Sequence, residues 1–185
     1  MIGAAGLLLM GCAAQPRPGA EPRRGGPLEY QDARTGVTVT RADKPLIFAL
    51  DTNPRSGQRD YISVVAAATN RTGTLRYLLL VYVWSSQSAL TASRPLVVTA
   101  DEQRLSFDSV PMVVVEADLS APIPAPSGAG ALWAAYATDL TTLASLAAAQ
   151  HLALQVSDDP RAQRFALWDD QRAALGRLVR YLNGE

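Results

Sequence analysis

The sequence contains a single cysteine, Cys12, among its 185 residues. This cysteine lies in an apolar N-terminal segment, so the chain that follows it can form no disulfide and carry out no thiol chemistry. A folded domain must therefore be stabilised by ordinary burial of apolar side chains, and the hydrophobic content of 48% is sufficient for a core. The same content, with only 18% charged residues, argues against disorder as the overall state.

Neither sign of charge is in excess. Lysine and arginine together number 17, aspartate and glutamate together number 17, and the formal net charge is zero. Proteins that bind nucleic acids usually carry a basic excess, because neutralising phosphates drives their affinity. We therefore expect no nucleic-acid partner.

Residues for catalysis are also scarce. His151 is the only histidine, which almost excludes a zinc site of the usual ligand type and would oblige any Ser-His-Asp triad to use it. Nucleophile-elbow, phosphate-loop and calcium-loop motifs are absent from the sequence. The acids form three adjacent pairs, Asp101-Glu102, Asp158-Asp159 and Asp169-Asp170, which are typical of turns and helix caps. We predict a non-enzymatic protein without metal or cofactor; acids converging on His151 would instead favour a hydrolase.

The N-terminus carries the most specific signal. Ile2 to Met10 is an uncharged apolar run of the length of a signal-peptide core, and it is too short to span a bilayer. The residues Leu9-Met10-Gly11-Cys12 resemble the lipobox of bacterial lipoproteins. The resemblance implies that residues 1–11 are a signal peptide, that the Cys12 sulfur receives a diacylglycerol, and that its new amino group is acylated, usually with palmitate. The alternative is an apolar N-terminal strand with an incidental cysteine.

Residues 12–27 are predicted to be the lipidated cysteine and a tether. Ala13 to Pro27 contains four prolines, three glycines and no large apolar side chain, so it cannot join a core. In extended polyproline form it would reach about 45 Å, at about 3.1 Å per residue. By the same resemblance, Ala13 in place of an aspartate after Cys12 implies release to the outer membrane, facing the periplasm. The first expected partner is thus the membrane itself, through the lipid anchor.

From Leu28 onward, short apolar runs broken by turn residues predict strands. The predicted strands are 35–41, 46–50, 61–69, 75–84, 96–99, 104–107 and 112–117, with a loop at 51–57 and a hairpin turn at 70–73. Leu75 to Trp84 is apolar on both faces, which predicts a central strand of a sheet covered on both sides.

The C-terminal part changes character after a Pro-rich stretch, 120–130, which is a linker or a possible sub-boundary. Residues 131–138 are interpreted as a strand or the start of a helix, followed by a helix with Asp139 as its N-cap. Residues 151–156 and 163–168 are predicted strands. Asp169 or Asp170 is expected to cap a last helix whose apolar stripe is Leu175, Leu178, Val179 and Leu182, ending at Asn183-Gly184.

These elements predict one soluble α+β domain over residues 28–185. We expect mainly antiparallel β-sheet or sandwich, with a C-terminal β-α-β-β-α segment whose helices pack on the sheet.

Aromatic residues make up only 6% of the chain, and three of them are tryptophans. Trp84, Trp133 and Trp168 lie at the ends of apolar runs, where packing in the core or at a sheet edge is the plainer interpretation. The sharper hypothesis is a binding surface at Trp168, with Arg161 and Arg164 nearby and Trp84 as a further candidate, because tryptophan is enriched at binding hot spots.

The function predicted from these features is a non-enzymatic adaptor or assembly component that is anchored in the cell envelope and binds another envelope protein. The alternative is a carrier for a small apolar or lipid-like molecule. A carrier needs an apolar pocket of some hundreds of Å³ between sheet and helices, whereas an adaptor needs an exposed apolar patch or an unpaired sheet edge.

Overall fold

The structure is a computed structural model that describes residues 25–53, 57–84, 94–111, 114–115, 132–159 and 161–185. The predicted signal peptide, Cys12, most of the tether and the 120–130 linker lie outside the described residues. No helix in the described ranges is long and apolar enough to cross a membrane. The elements, in chain order, are β1 Leu28–Gln31, β2 Thr38–Arg41, β3 Leu46–Asn53, β4 Gln58–Arg71, β5 Thr74–Trp84, β6 Leu96–Ala100, β7 Gln103–Phe107, β8 Ser109–Val110, β9 Leu132–Thr138, α1 Leu140–Ala148, β10 Leu152–Gln155, β11 Phe165–Asp169 and α2 Arg172–Leu182.

All of these strands belong to one antiparallel sheet. Its order is β7-β6-β10-β11-β3-β4-β5-β9-β8, with β2 beside β4 and β1 beside β2. The 14-residue β4 is long enough to have two partners along one edge, β3 at residues 58–64 and β2 at residues 67–70. Its other edge pairs with β5.

The sheet curves until it is nearly closed around the two helices. The Tyr136 hydroxyl on β9 donates a hydrogen bond to the Arg94 carbonyl just before β6, with an oxygen–oxygen distance of 3.1 Å. Phe107 on β7 and Tyr136 lie in one core with Leu143 of α1 and Leu178 of α2. The predicted α+β class is therefore confirmed, with both helices on the inner, concave face.

The central strand β5 is buried on both faces, as its sequence predicts. Leu79 belongs to the main core between the sheet and the helices, and it is 1% exposed. Leu80 points to the outer face and is 0% exposed. It belongs to a second cluster that includes Val37, Val39 and Val115. The outer face is thus covered over this part of the sheet.

Two of the predicted strands need correction. β3 continues through Asn53 instead of ending at Leu50, because the paired strand β4 places Arg59 opposite Asp51 and the two side chains form an ion pair. Val114 and Val115 are helical, not extended, because their N–H groups donate to the Pro111 carbonyl in a turn. Most of the predicted strand at 112–117 lies outside the described residues.

The N-cap of α2 also differs from the prediction. Gln171 occupies that position and makes no side-chain capping bond, while Asp169 is the last residue of β11. Asp170 is the residue before this N-cap, and its carboxylate accepts a hydrogen bond from the Arg172 backbone N–H at 3.0 Å. The Arg172 guanidinium donates to this carboxylate and to the Ala149 carbonyl at the end of α1, which holds the two helix ends together. Hydrogen bonds from Arg172 hold the pKa of Asp170 below its usual value.

For the predicted segment 131–138 the open alternative is resolved in favour of a strand, since Leu132–Thr138 form β9, and Asp139 caps α1 as predicted. The Asp139 carboxylate accepts hydrogen bonds from the backbone N–H of Thr142 at 2.7 Å and from its hydroxyl at 2.8 Å. These bonds favour the ionised form and hold the Asp139 pKa below its usual value.

Replacing Asp139 with alanine should lower the free energy of unfolding by about 1 kcal/mol near pH 7. The stabilisation by the ionised cap is present above the unfolded pKa, about 3.9, and is lost as the pH falls through the lower folded pKa. Urea unfolding should therefore show the gap between wild type and Asp139→Ala shrinking below pH 4. Asp139→Asn, which keeps the cap without the charge, is the control; a gap that does not change with pH would contradict the assignment.

Gly176 lies in the interior of α2, where glycine is unfavourable. A methyl group there would meet Ala147 Cβ at 4.0 Å and Arg180 Nη1 at 3.8 Å, which are ordinary van der Waals contacts. Gly176→Ala should therefore raise the free energy of unfolding by about 0.5–1 kcal/mol. Gly73→Ala is the matched control and should destabilise, because Gly73 has a φ of 90° in the hairpin turn. A lower melting temperature for Gly176→Ala would contradict the described helix contact.

Candidate functional site

Trp168 lies on the outer face of the sheet and is 58% exposed. The alternation along β11 turns Phe165 and Leu167 towards the core and Trp168 away from it. The pairing of β11 with β3 is irregular between Leu167 and Asp169, so Trp168 lies at a bulge. Bulges re-aim side chains and are common next to functional sites.

Two residues of β4 hold the Trp168 side chain. The guanidinium carbon of Arg59 is 4.2 Å from the centroid of the Trp168 ring, which is a cation–π contact. The Tyr61 ring meets Trp168 edge to face, with centroids 6.5 Å apart and an interplanar angle of 73°. Asp51 on β3 accepts from Arg59 Nε at 2.5 Å. We call Trp168, Arg59, Tyr61 and Asp51 the Trp168 cluster.

The charges within this cluster are matched. The hydrogen bond from Arg59 to Asp51 raises the Arg59 pKa above its already high value, so the guanidinium stays charged. The carboxylate of Asp51 balances this charge, and both groups are open to solvent. The cluster therefore presents a near-neutral aromatic surface with one fixed cation against the indole.

The strand register explains why these residues meet and what surrounds them. Residues directly opposite each other in neighbouring strands point to the same face. One such row crosses the outer face beside Trp168 and consists of Thr99, Ala153, Ala166, Ala49, Tyr61 and Trp84. Three consecutive alanines leave a shallow strip on one side of Tyr61, while the half-buried Trp84 stands on the other.

The structure brings together only part of the predicted site. Trp168 and Trp84 lie on the same face, joined through Tyr61. Arg161 and Arg164 are exposed in the segment before β11. The arginine that stacks on Trp168 is Arg59.

Arg59, Tyr61 and Asp51 were not identified from the sequence. Their meeting with Trp168 depends on β3 lying between β4 and β11, and this strand order leaves no trace in local sequence patterns. The only available signal was weak: Arg59 and Tyr61 alternate at the start of a strand and so share one face.

One acid, Asp101, contacts the chain at His151, and it contacts the backbone there. The Asp101 carboxylate accepts from the backbone N–H of Gln150 at 2.9 Å and from that of His151 at 2.8 Å. The Asp101 N–H in turn donates to the His151 carbonyl. This arrangement ties the β6–β7 turn to the start of β10. Within the described ranges, no three His, Cys, Asp or Glu side chains are grouped so as to hold a metal ion.

An apolar cavity lies between the sheet and the helices, and a larger groove lies on the outer face beside β5 and β9. The inner cavity, bordered by Phe48, Leu146 and Leu175, has a volume of about 20 Å³, roughly the space of one water molecule. The groove, of about 520 Å³, lies between β5, β9 and the turn at Pro111, and it is bordered by Leu75 and Val114. Pockets for small molecules usually measure about 300–1,000 Å³.

Comparisons of the chain with family models, with curated proteins and with solved structures give no match.

Proposed function

We propose that this chain is a bacterial lipoprotein, anchored through Cys12 at the periplasmic side of the outer membrane, whose domain binds another envelope protein at the Trp168 cluster. The membrane part of the proposal is supported by the sequence around Cys12 and by the Pro/Gly-rich tether. The binding part is supported by the geometry of the outer face. The proposal assigns no catalytic residue, metal or cofactor.

The observation that carries the binding part is the exposure of Trp168 together with its fixed position. Tryptophan, tyrosine and arginine are the residues most enriched at binding hot spots, and the cluster contains all three in mutual contact. A side chain that is already ordered loses less entropy on binding than a mobile one, so the partner gains affinity from this arrangement. The alanine strip leaves room for a partner to approach the indole.

Trp168→Ala should weaken binding of the partner about 30-fold or more, because removing a hot-spot tryptophan usually costs about 2 kcal/mol or more of binding free energy. The measurement is affinity capture of tagged protein from its native envelope after cross-linking, quantified against wild type. Tyr181→Ala is the matched control, because Tyr181 is 47% exposed on α2, away from the cluster. Equal capture by wild type and Trp168→Ala would refute the assignment of this surface.

The second candidate function, a carrier for a small apolar or lipid-like molecule, is favoured by one observation, the outer groove. Its border is mostly apolar, with Arg76 and Thr138 as polar members, and its volume of about 520 Å³ is suitable for such a ligand. Titration with a fluorescent fatty acid tests this candidate. Saturable binding that Val114→Trp abolishes and Trp168→Ala leaves intact would favour the carrier.

A further inference from the structure

The direction of β1 sends the preceding chain towards the Trp168 cluster. β2 and β3 follow one another along the same edge of β4, with β1 on the far side of β2 and β11 on the far side of β3. β1 is antiparallel to β2. The chain followed backwards from Gln31 to Leu28 therefore has the same direction as β2 followed forwards into β3. The residues before Leu28 therefore leave the sheet on the side where β11 lies.

The distance from this exit to the cluster is short. Leu28 pairs with Arg41 of β2, and Arg41 pairs with Ala67 of β4, so Leu28 lies level with Ala67. Tyr61 is six residues from Ala67 along β4, which corresponds to about 20 Å. Residues 13–24 can extend to about 37 Å in polyproline form. Gly25, with a φ of 86°, turns the chain where it leaves the edge of the sheet. The tether is thus long enough to return to Trp168.

The outer face of the sheet is the side on which residues 13–24 can reach Trp168. On the inner face, α2 packs against β1: the Tyr181 hydroxyl donates to Glu29 at 2.7 Å. α2 also begins at Arg172, directly after β11, and so covers the inner side of that strand. A segment running from β1 towards β11 passes instead over the surface that carries Trp168.

The tether also has the chemistry that an aromatic surface of this kind binds. Pro16, Pro18 and Pro22 favour the extended polyproline conformation, which docks on aromatic-lined grooves at a small entropic cost. Residues 13–24 contain three arginines and one glutamate, and Asp169 adjoins Trp168 at the end of β11. Because Arg59 and Asp51 balance each other, the net positive charge of the segment is opposite to the charge of Asp169.

We propose that residues 13–24 fold back over the outer face and dock their proline rings on the Trp168 cluster, so that the chain supplies its own occupant for this surface. The link between the two is intramolecular, with an effective concentration in the millimolar range. A segment with a dissociation constant of about 1 mM would accordingly be docked about half of the time.

The test uses the full chain, expressed without export so that Cys12 is unmodified. A nitroxide is attached at position 20 in a Cys12→Ala, Ala20→Cys variant, and the backbone amide signals are compared before and after reduction of the label. Docking predicts that the amides of residues 59–61 and 165–169 lose about half of their intensity or more, as expected for a half-docked segment. Trp168→Ala should restore these intensities, and so should replacement of Pro16, Pro18 and Pro22 with serine.

Leu75→Ala is the matched control, because Leu75 is 49% exposed on β5, outside the cluster, and its removal should leave the broadening unchanged. Broadening confined to residues 25–31, or broadening at β11 that persists in Trp168→Ala, would overturn the proposal. No membrane and no partner is present in this experiment. Its failure would therefore leave the adaptor function standing, and a failure of partner capture would leave tether docking standing.

Discussion

Leu79→Ala and Leu80→Ala should each lower the free energy of unfolding by about 2–5 kcal/mol, although the two side chains point to opposite faces of β5. Leu79 packs in the main core against the helices, and Leu80 packs in the outer cluster with Val39 and Val115. Each truncation removes buried methyl groups and leaves a cavity. Since natural domains have about 5–15 kcal/mol of stability, either change should be large.

Urea unfolding followed by circular dichroism measures both effects, with Leu75→Ala on the same strand as the exposed control. That control should stay within about 0.5 kcal/mol of wild type. The informative comparison is between the two buried leucines. If Leu80→Ala costs no more than Leu75→Ala, the outer face of β5 is open to water and the second cluster is not a core.

Cys12→Ala should move the protein from the membrane to the soluble fraction. Each buried methylene of an acyl chain contributes about 0.8 kcal/mol, so two or three chains anchor a protein stably, while a chainless variant has only its protein surface. The described residues include no membrane-spanning helix that could replace the anchor. The anchored fraction should therefore fall from nearly all of the protein to little of it.

Fractionation of envelopes measures this shift, and the mass of the N-terminal peptide shows whether Cys12 carries acyl chains. Trp168→Ala is the control, because it changes the proposed binding surface and should leave anchoring intact. A Cys12→Ala protein that remains in the membrane would show that the attachment has another source.

Much of the fold could be predicted because it follows from local patterns of apolar and polar residues. The two-residue period predicts that Val37 and Val39 share one face, and both are buried. The apolar run at 75–84 predicts the central position of β5, and the apolar stripe of α2 predicts which of its residues are buried. Asp139 fulfilled its predicted capping role because an N-cap depends only on neighbouring residues. The length of β3 could not be predicted in this way, because it depends on a distant strand: Arg59, on the opposite strand, pairs with Asp51.

The candidate site could be predicted only in part for the same reason. Residue type indicates Trp168, and Arg161 and Arg164 are the arginines near it in the sequence, but the guanidinium on its ring belongs to Arg59. Arg59 and Tyr61 reach the indole because the sheet places β3 between β4 and β11, and strand order is set by packing of the whole sheet. Residue type therefore indicates Trp168, whereas its contacts with Arg59 and Tyr61 follow only from the strand register.

The most direct test of the proposed anchored adaptor is site-specific photo-cross-linking in the native envelope, with benzoylphenylalanine at position 166 or at position 75. Ala166 is exposed on the outer face beside Trp168, so this substitution keeps the indole in place. We expect one discrete protein adduct from position 166 in the membrane fraction, its loss in Cys12→Ala, and none from position 75. No adduct from position 166, or the same adduct from both positions, would contradict the central claim that an anchored domain binds its partner through the Trp168 cluster.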